Sequence, residues 1–537
     1  MWPEAPSRAE SHSAPDANAL AAALQSPEAY PENPPSIELR ETHISWVFLT
    51  PTHAYKLKKP VKFSFLDFST PRQREVACWA ELTLNRRLAP DVYIDVWPIR
   101  RTSDGGVRVG PGRGEVLDHV VVMRRLPEHL LMHHRLATGT VTAADIRRVA
   151  QRLASFYRTA RRDETVARYA TPASIRANVA DNLEQLLRWP DVLGCGLLRR
   201  LESAQLQFPA LYAAWFERRI GAGWVCEGHG DLRPEHICLS EPPVAFDCVE
   251  FALAFRAGDV LNDVAFLAME LEYEGREDLA RCLLETLEDE YPGVVEQPLL
   301  AFYKAYRALV RAKVSLLRAA QEQQPAARRR HWAQAVRYAE LAARYDADYH
   351  RPFVLAIIGP SGTGKTTLAY ELARTLGAPV LRSDVVRQRL TRRREPQAGY
   401  ESGIYRPEVT KQVYRRLVAE AIHWASVHRT TVLVDATFAH RARRQQLRTA
   451  ARSAGVPCGF LYCRLPAHQA ARRVVQRLQA GTDISDARPD IVSRQYENFA
   501  LAPDLARSDV VAIDTATPVH DATQDALAAI RRLLRIC

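Results

Sequence analysis

An eight-residue segment at 359–366 constrains the fold of this chain more than any other feature. It reads Gly-Pro-Ser-Gly-Thr-Gly-Lys-Thr and fits the pattern GxxxxGK[ST] completely. The apolar run 353–358 precedes it, and a helical pattern begins at Thr367. A strand, a glycine-rich turn and a helix N-terminus in this order surround an anion with backbone N–H groups. The sequence therefore predicts a nucleotide-binding loop, called the P-loop below, in an α/β sheet.

The P-loop also predicts how a nucleotide and its metal ion would be held. We expect Lys365 to reach the β- and γ-phosphates and Thr366 to bind Mg²⁺. ATP is the favoured nucleotide, because no NKxD-like guanine motif is present. The predicted cofactor-binding residues of the loop are Gly359, Pro360, Ser361, Gly362, Thr363, Gly364, Lys365, Thr366 and Thr367.

Two carboxylates follow later strands of the same predicted sheet. Asp384 comes after the strand at 380–381, and Asp435 ends the strand at 431–435. The carboxyl ends of parallel strands face the ligand crevice of such sheets. We therefore predict Asp384 as the base that accepts a proton from a substrate hydroxyl, Arg387 as a substrate-binding residue and Asp435 as a supporting metal ligand.

Arginines near the end of the chain complete the predicted site. Arg472, Arg473 and Arg477 lie on a predicted helix, and Arg488 follows in the segment 481–488. Mobile arginines neutralise the charge that spreads over a transferring phosphoryl group. We predict Arg473 and Arg488 as catalytic residues of this kind.

The segment from about 350 to 537 resembles the small P-loop kinases, including polynucleotide kinases, gluconate kinases and zeta-toxin-like kinases. The resemblance is carried by GPSGTGKT, SDVVR, VDAT and the arginine-bearing segment that ends in SDAR. In that family the aspartate after the second strand acts as the base, which corresponds to Asp384 here. The resemblance implies a kinase that acts on a hydroxyl group.

A second motif lies at 228–237 and reads Gly-His-Gly-Asp-Leu-Arg-Pro-Glu-His-Ile. Asp231 belongs to it, and Asp247 follows after a short apolar segment. Two such aspartates serve phosphoryl transfer, one as the base and the other as a metal ligand. Upstream, Lys56 on a predicted strand and Glu81 on the next helix would form the ion pair that holds a lysine on the α/β-phosphates.

Residues 38–345 resemble the aminoglycoside phosphotransferase and choline kinase branch of the protein-kinase-like fold. The resemblance gives Asp231 the base role and Asp247 the metal role, and His236 takes the place of a metal-binding Asn. No glycine-rich loop separates the first two strands, and Lys58 and Lys59 compete with Lys56 for the phosphate role. Neutral imidazole is a poorer Mg²⁺ ligand than an oxygen group.

Together the two parts resemble a bacterial fusion family with an aminoglycoside phosphotransferase-like half and a P-loop ATP-binding half. The predicted limits are a disordered tail at 1–36, an α+β protein-kinase-like domain at 37–345 and an α/β P-loop domain at 350–537. A hairpin at 42–58 and a short helix near 19–24 are also predicted. The second domain is expected to contain a parallel sheet with helices on both faces.

Composition excludes several other classes of protein. No apolar run approaches the ~20 residues that span a bilayer, so we predict no membrane partner. The nine cysteines are scattered without a CxxC pair, which favours the reducing cytoplasm over a disulfide framework or zinc site. The net charge of +11 comes from 73 basic and 62 acidic residues. It fits solvated helix faces or, as the weaker alternative, a nucleic-acid patch.

Three functional hypotheses follow from the sequence. The first is a bifunctional phosphotransferase that uses ATP and Mg²⁺, with a small-molecule hydroxyl acceptor or, as the weaker alternative, a nucleic-acid 5′ end. The second makes the N-terminal half a degenerate kinase that binds a ligand and regulates the other half. The third makes the C-terminal half an ATP-hydrolysing switch without an acceptor. The oligomeric state cannot be read from the sequence.

Overall fold

The structure is a computed structural model that describes residues 17–63, 66–391, 406–480, 489–500 and 503–535. Its contacts divide the chain into two compact units. The N-terminal unit comprises Met1–Ala170 and Gly223–Val295, and the C-terminal unit comprises Thr171–Ala222 and Glu296–Cys537. The helices at 171–222 and 296–349 therefore group with the P-loop sheet. The domain limits predicted from the sequence, 37–345 and 350–537, stay predictions. The two units are defined by their contacts, whereas a domain limit refers to segments that fold independently.

The strands within the described ranges are β1 Glu38–Glu41, β2 Ser45–Leu49, β3 His53–Lys58, β4 Lys62–Phe63, β5 Leu66–Asp67, β6 Tyr93–Arg101, β7 Val107–Val109, β8 Glu115–Arg124, β9 Val225–Glu227, β10 Ile237–Cys238, β11 Val244–Ala245, β12 Ala257–Asp259, β13 Val354–Ile358, β14 Val380–Arg382, β15 Val432–Asp435, β16 Cys458–Arg464 and β17 Val510–Asp514.

The α-helices within the same ranges are α1 Ala17–Ala23, α2 Pro71–Asn85, α3 Met132–Ala137, α4 Ala143–Thr159, α5 Glu164–Ala167, α6 Pro172–Leu186, α7 Pro190–Leu193, α8 Cys195–Leu211, α9 Ala213–Gly221, α10 Leu253–Arg256, α11 Val260–Tyr273, α12 Glu277–Glu290, α13 Gln297–Gln321, α14 Pro325–Tyr349, α15 Lys365–Leu376, α16 Ser383–Thr391, α17 Pro407–Ser426, α18 Arg441–Ser453, α19 Ala467–Ala480, α20 Pro489–Ala500 and α21 Val519–Leu534. None of these helices is both long enough and apolar enough to cross a membrane.

The N-terminal unit contains an antiparallel sheet with the strand order β1-β2-β3-β8-β6-β7. The predicted hairpin is confirmed, since β2 pairs with β3 around a tight turn in which Thr50 N donates to His53 O at 2.9 Å. Helix α2 begins after Thr70, whose hydroxyl accepts a hydrogen bond from Gln73 N in a capping box. This helix carries Glu81 to the sheet, where the side chain is fully buried.

The described part of the predicted tail is packed rather than disordered. Helix α1 spans nearly the same residues as the helix predicted near 19–24. Its Leu20 packs with Leu24 and Tyr30 in a buried cluster that includes residues of the sheet. Tyr30 also donates a hydrogen bond from its hydroxyl to Leu24 O at 2.5 Å. Residues 17–36 contain only a few large apolar side chains, and for this reason the sequence favoured disorder there. Residues 1–16 lie outside the described residues.

The C-terminal unit is built on a five-stranded parallel sheet with the order β14-β15-β13-β16-β17. The P-loop strand β13 lies in the middle and pairs with β15 on one side and with β16 on the other. The chain order reverses at β13, and ligands of open α/β sheets bind at such a point. The predicted parallel α/β sheet is confirmed.

Alternate residues of β13 are buried on opposite faces of this sheet. Leu355 and Ile357 pack in one cluster with helices α15 and α21, which include Leu372. Val354 and Ala356 pack in a second cluster with residues of α17 and α18. Helices therefore cover both faces, as the near-continuous apolar strand predicts.

Helix α8 connects the segment Thr171–Ala222 to this sheet by polar contacts as well as by packing. Thr431 N donates to Ser203 Oγ at 3.3 Å, and Thr431 Oγ1 donates to Gln207 Oε1 at 3.0 Å. Gly377, with φ at 59°, ends α15 against α8, and a Cβ there would lie 2.8 Å from Glu202 O. These contacts explain why 171–222 group with the C-terminal unit.

We predict that the Arg444→Met variant lowers the free energy of unfolding of the C-terminal unit by about 3 kcal/mol. Arg444 is completely buried and donates to both oxygens of Asp504 at 2.6 and 2.9 Å. Its removal leaves a buried carboxylate with only Arg448 opposite. Urea denaturation followed by circular dichroism measures the change. Arg452→Met, at an exposed position of the same helix, is the control, and equal stability of the two variants would contradict the prediction.

Candidate active site

The backbone of the P-loop needs glycine at positions where the neighbouring chain comes very close. Gly362 has φ at 82°, and a Cβ there would lie 2.4 Å from Ala470 O. At Gly359, φ is 142° and a Cβ would lie 2.8 Å from Cys463 O. Gly364, in the left-handed region, precedes α15 directly. The loop therefore turns tightly around the helix N-terminus, where backbone N–H groups attract an anion.

Two side chains of the loop are held by one backbone carbonyl. Lys365 Nζ donates to Pro360 O at 2.7 Å, and Thr363 Oγ1 donates to the same oxygen at 2.8 Å. Across the loop, Ser361 N donates to Gln495 Oε1 at 2.7 Å. Burial lowers the pKa of Lys365 below its ordinary value. A phosphate group beside this ammonium group would oppose that decrease, because an opposite charge favours the charged form.

Asp435 connects three strands at the carboxyl end of the sheet. Thr366 Oγ1 donates to Asp435 Oδ2 at 2.7 Å, and Arg382 Nε lies 3.3 Å from the same oxygen. In the parallel register, Asp435 pairs with Ile357 of β13 and with Arg382 of β14. The hydroxyl and carboxylate oxygens fit Mg²⁺, which prefers such ligands.

Asp384 and Arg387 lie one turn apart on α16, which starts at Ser383. Burial raises the pKa of Asp384, and the nearby Asp435 carboxylate raises it further. The pKa increase is opposed by Arg387, which is itself buried and donates to Thr410 Oγ1 at 3.1 Å. A carboxyl group with a raised pKa is a stronger proton acceptor once it is ionised.

These side chains line one cavity of about 980 Å³ in the C-terminal unit. Of the described residues, those that line it include Ser361, Gly362, Gly364, Lys365, Thr366, Thr367, Tyr370, Arg382, Ser383, Asp384, Arg387, Thr410, Tyr414, Asp435, His440, Arg443, Arg473, Arg477, Gln495, Thr515 and Thr517. Arg473 donates through Nη2 to Thr515 O at 3.1 Å.

The cavity brings together most of the residues predicted from the sequence. Gly359, Pro360 and Thr363 belong to the P-loop but do not line the cavity. The predicted catalytic Arg488 lies outside the described residues. Sequence reasoning missed the contributions of Arg382, Tyr414, Arg443 and Gln495. Arg382 directly precedes Ser383 and Asp384, so its place next to this motif could have indicated a role in the site. The other three residues lie in amphipathic helices that carry no motif.

A buried network of charges occupies the N-terminal unit. Lys56 Nζ donates to Glu81 Oε1 at 2.8 Å and to Asp247 Oδ1 at 2.5 Å. Lys58 Nζ donates to Glu81 Oε2 at 2.7 Å and also pairs with Glu250. Burial alone lowers the pKa of Lys56, but Asp247 and Glu81 outweigh burial and raise it well above its ordinary value. Both lysines therefore stay charged at neutral pH.

The motif at 228–237 places Asp231 beside two cationic or protonatable groups. Arg233 contacts both carboxylate oxygens of Asp231, at 2.8 Å through Nε and at 3.1 Å through Nη2. His236 Nδ1 lies 2.9 Å from Asp231 O, and its Nε2 lies 3.5 Å from Asp247 Oδ2. Asp263 accepts hydrogen bonds from His229 N and Gly230 N at 2.6 and 2.8 Å, which fixes the turn before Asp231.

Lys59, the third lysine considered from the sequence, lies outside this network. It forms an ion pair with Glu41, and its ammonium group lies 5.3 Å from the centre of the Trp46 ring. Lys56 and Lys58 alternate with Leu57 on β3 and therefore point to the same face of the sheet. The predicted roles of Lys56, Glu81, Asp231, Asp247 and His236 stay predictions.

A family model described as an AAA domain matches residues 354–502. Over 493 residues the chain is 33% identical to the uncharacterized protein Rv2004c of Mycobacterium tuberculosis, with 90% of this chain and 93% of that protein covered. An uncharacterized protein of Mycobacterium bovis, Mb2027c, matches with the same identity and coverage.

Among solved structures, a gluconokinase from Sinorhizobium meliloti matches with 19% identity and a TM-score of 0.27, covering 35% of this chain and 95% of its own. An APS kinase of Mycobacterium tuberculosis matches with 20% identity and a TM-score of 0.26, covering 34% of this chain and 99% of its own. Scores this low support no inference about activity or substrate.

We predict that Asp384→Asn stabilises the folded protein at neutral pH. A raised pKa in the folded state means that the ionised carboxylate is disfavoured there. The neutral carboxyl group contributes fully to the stability of the folded state below the ordinary aspartate pKa of 3.8. This contribution is lost as the pH rises through the raised pKa of the folded state. The difference in stability between variant and wild type should therefore develop in that pH window. Each tenfold increase in the proton affinity of the folded state contributes about 1.4 kcal/mol to it.

Urea denaturation at a series of pH values measures this difference. The control is Asp348→Asn, because Asp348 is exposed. A stability gain that is absent at pH 7, or that is the same at every pH, would mean that Asp384 is not held in an environment that disfavours its charge.

Proposed function

This chain belongs to the same family as the mycobacterial protein Rv2004c, and we propose that its C-terminal unit transfers the γ-phosphoryl group of ATP to a hydroxyl group of a small molecule. The observation that carries the proposal is the cavity that holds Lys365, Asp384 and Asp435 together. A volume of about 980 Å³ is at the upper end of the range for small-molecule sites and leaves room for an acceptor beside a nucleotide.

In the proposed reaction the acceptor oxygen attacks the γ-phosphorus of ATP. A new oxygen–phosphorus bond forms, the bond between the γ-phosphorus and the bridging oxygen breaks, and ADP leaves. Asp384 accepts the hydroxyl proton, and its raised pKa brings its basicity closer to the working pH. Asp384 would therefore act as the general base for the acceptor hydroxyl.

The cationic residues of the cavity bind and neutralise the phosphates. Lys365 leaves Pro360 O to contact the β- and γ-phosphates, and Arg473 is close enough to the loop to neutralise charge on the transferring group, since a Cβ on Gly364 would lie 3.6 Å from Arg473 Nη1. Thr366 and Asp435 would hold Mg²⁺, which would supply positive charge to neutralise the phosphates.

An ATP-hydrolysing switch is the competing function for this site. Such a switch needs the P-loop and the metal ligands, but it has no use for an acceptor site. The pair formed by Asp384 and Arg387, on α16 and outside the P-loop, therefore favours the kinase. Hydrolysis without a phosphorylated product over a broad range of alcohols would favour the switch.

We predict that Lys365→Ala lowers phosphoryl transfer at least about 100-fold, because it removes charge that is aimed at the transition state. The measurement follows label from γ-labelled ATP into products with a mixed panel of hydroxyl compounds. Lys411→Ala removes an exposed lysine of α17 and serves as the matched control. Unchanged transfer in Lys365→Ala would remove the reaction from this cavity.

For the N-terminal unit we propose a kinase-like domain similar to the aminoglycoside phosphotransferases. The contact of Lys56 with Glu81 at 2.8 Å supports the proposal, because such a pair directs a lysine to the α/β-phosphates. In this proposal Asp231 acts as the base, while Asp247 and His236 hold the metal ion. Arg233 and Lys56, which contact the two aspartates, would have to exchange these contacts for ligand.

The N-terminal proposal predicts a second phosphoryl transfer, to a different acceptor of the panel. This transfer survives Lys365→Ala and is lost, by about 100-fold, when Asp247→Asn is added. Asp91→Asn, at an exposed position of the same unit, is the control. If all transfer disappears in Lys365→Ala alone, and Asp247→Asn only alters its rate, the unit is instead a binding module that regulates the C-terminal reaction.

A further inference from the structure

We infer that a second cavity of the C-terminal unit binds a planar aromatic molecule that carries a negative charge. We call it the aromatic cavity after four of its lining residues, Phe208, Tyr212, Trp215 and Tyr349. Its volume of about 420 Å³ lies within the range of small-molecule sites. None of the described residues that line it also lines the cavity with the P-loop. This second site is therefore independent of the proposed phosphoryl transfer.

The aromatic rings form the apolar part of the wall, and they pack against one another. The Phe208 ring stacks on the Tyr212 ring, with the ring centres 4.7 Å apart. Its edges meet Trp215 and Tyr349 nearly at right angles, with ring centres 6.2 and 5.6 Å away. Rings that are packed in this way keep their orientation and offer flat surfaces. Another aromatic ring can pack on such surfaces by offset stacking or edge to face.

The charged side chains on the same wall are all arginines. Arg218, Arg351 and Arg535 line the aromatic cavity, and no Asp or Glu is among the described lining residues. Arg218 is paired with Glu296. Neither Arg351 nor Arg535 forms an ion pair with an acidic side chain of the described ranges. Two guanidinium groups are therefore available for an oxyanion, which they can bind through several N–H groups.

Arg351 lies beside the aromatic wall. Burial raises the pKa of the Tyr212 hydroxyl, and the positive charge of Arg351 opposes this increase. An opposite effect of this kind requires that the guanidinium group is near the phenol group. A ring bound against Tyr212 would therefore place an acidic substituent within reach of Arg351.

His350 adds a neutral polar group to the wall. Its Nε2 lies 2.8 Å from Gln207 Oε1, which also accepts a hydrogen bond from Thr431 Oγ1 at 3.0 Å. Nε2 is then the donor and Nδ1 an acceptor. Nδ1 is buried without a hydrogen-bond partner among the described residues, and burial lowers the pKa of His350 to about 3. An N–H or O–H group on the bound ring would supply the missing donor.

Three small probes separate the contributions of the ring and of the charge. Indole-3-acetate has both, indole-3-ethanol has the ring without the charge, and acetate has the charge without the ring. Each probe is titrated into the full-length protein, and binding is followed by calorimetry. Mg²⁺ and AMP-PNP are present throughout to occupy the cavity with the P-loop. We expect indole-3-acetate to bind about 10-fold more tightly than indole-3-ethanol, and acetate to bind more weakly than both.

A variant that combines Arg351→Met with Arg535→Met tests where the charge is recognised. Because the ring contacts remain, this variant should bind indole-3-acetate and indole-3-ethanol equally well. The control combines Arg344→Met with Arg532→Met, since both of these arginines are exposed and do not line the aromatic cavity. The control should keep the preference of about 10-fold.

Three results of this experiment would overturn the inference. The first is that indole-3-acetate does not bind the wild type. The second is a preference for the acid that survives the loss of Arg351 and Arg535. The third is a preference that disappears equally in the control variant, because the charge effect would then be general to the surface.

The Trp215→Leu variant tests the aromatic wall separately. It should weaken the binding of both indole compounds by about fivefold or more, because a ring contact is lost, and it should leave acetate binding unchanged. Trp189→Leu replaces a half-buried tryptophan of the same unit outside the cavity and is the control. Equal binding of indole-3-acetate by the wild type and by Trp215→Leu would place the probe elsewhere and contradict the inference.

Discussion

The parallel pairing of β13 with β15 is the constraint on which the candidate site depends. This register sets Ile357, just before the P-loop, opposite Asp435. The Asp435 carboxylate can then accept the hydrogen bond from Thr366 at 2.7 Å, although the two residues are 69 positions apart. A shift by one residue would turn the Asp435 side chain to the other face of the sheet. Strand β14, paired with β15 in turn, brings Arg382 and Asp384 to the same edge.

Charges buried in the two units are matched in different ways. In the N-terminal unit, Lys56 and Lys58 contact the carboxylates of Glu81, Asp247 and Glu250, so both lysines have anionic partners within the protein. Such networks fix geometry more than they add stability, since desolvation offsets the attraction. In the C-terminal cavity, cations outnumber carboxylates among the described lining residues. An excess of cationic side chains is the property expected of a site that binds phosphate groups.

Much of the local structure could be predicted because its signals are local. The GxxxxGK[ST] pattern predicts the P-loop, and an apolar run before it predicts a buried strand. The hairpin of β2 and β3 follows from alternating residues around Thr50 and Pro51. The packing of residues 17–36 could not be predicted from composition, because it depends on contacts of Leu20, Leu24 and Tyr30 with a distant sheet.

The sequence by itself determined that a nucleotide-binding loop is present and that a parallel α/β sheet carries it, because both depend on residues close together in the chain. Only the tertiary structure decided which distant side chains share the cavity. Tyr414 and Arg443 carry no motif, yet α17 and α18 bring them together at 4.3 Å. Likewise, the sequence left the choice among Lys56, Lys58 and Lys59 open, and packing of α2 resolved the contacts, since Glu81 reaches only the first two. Contacts of this kind depend on how helices pack on a sheet, which residue spacing alone does not specify.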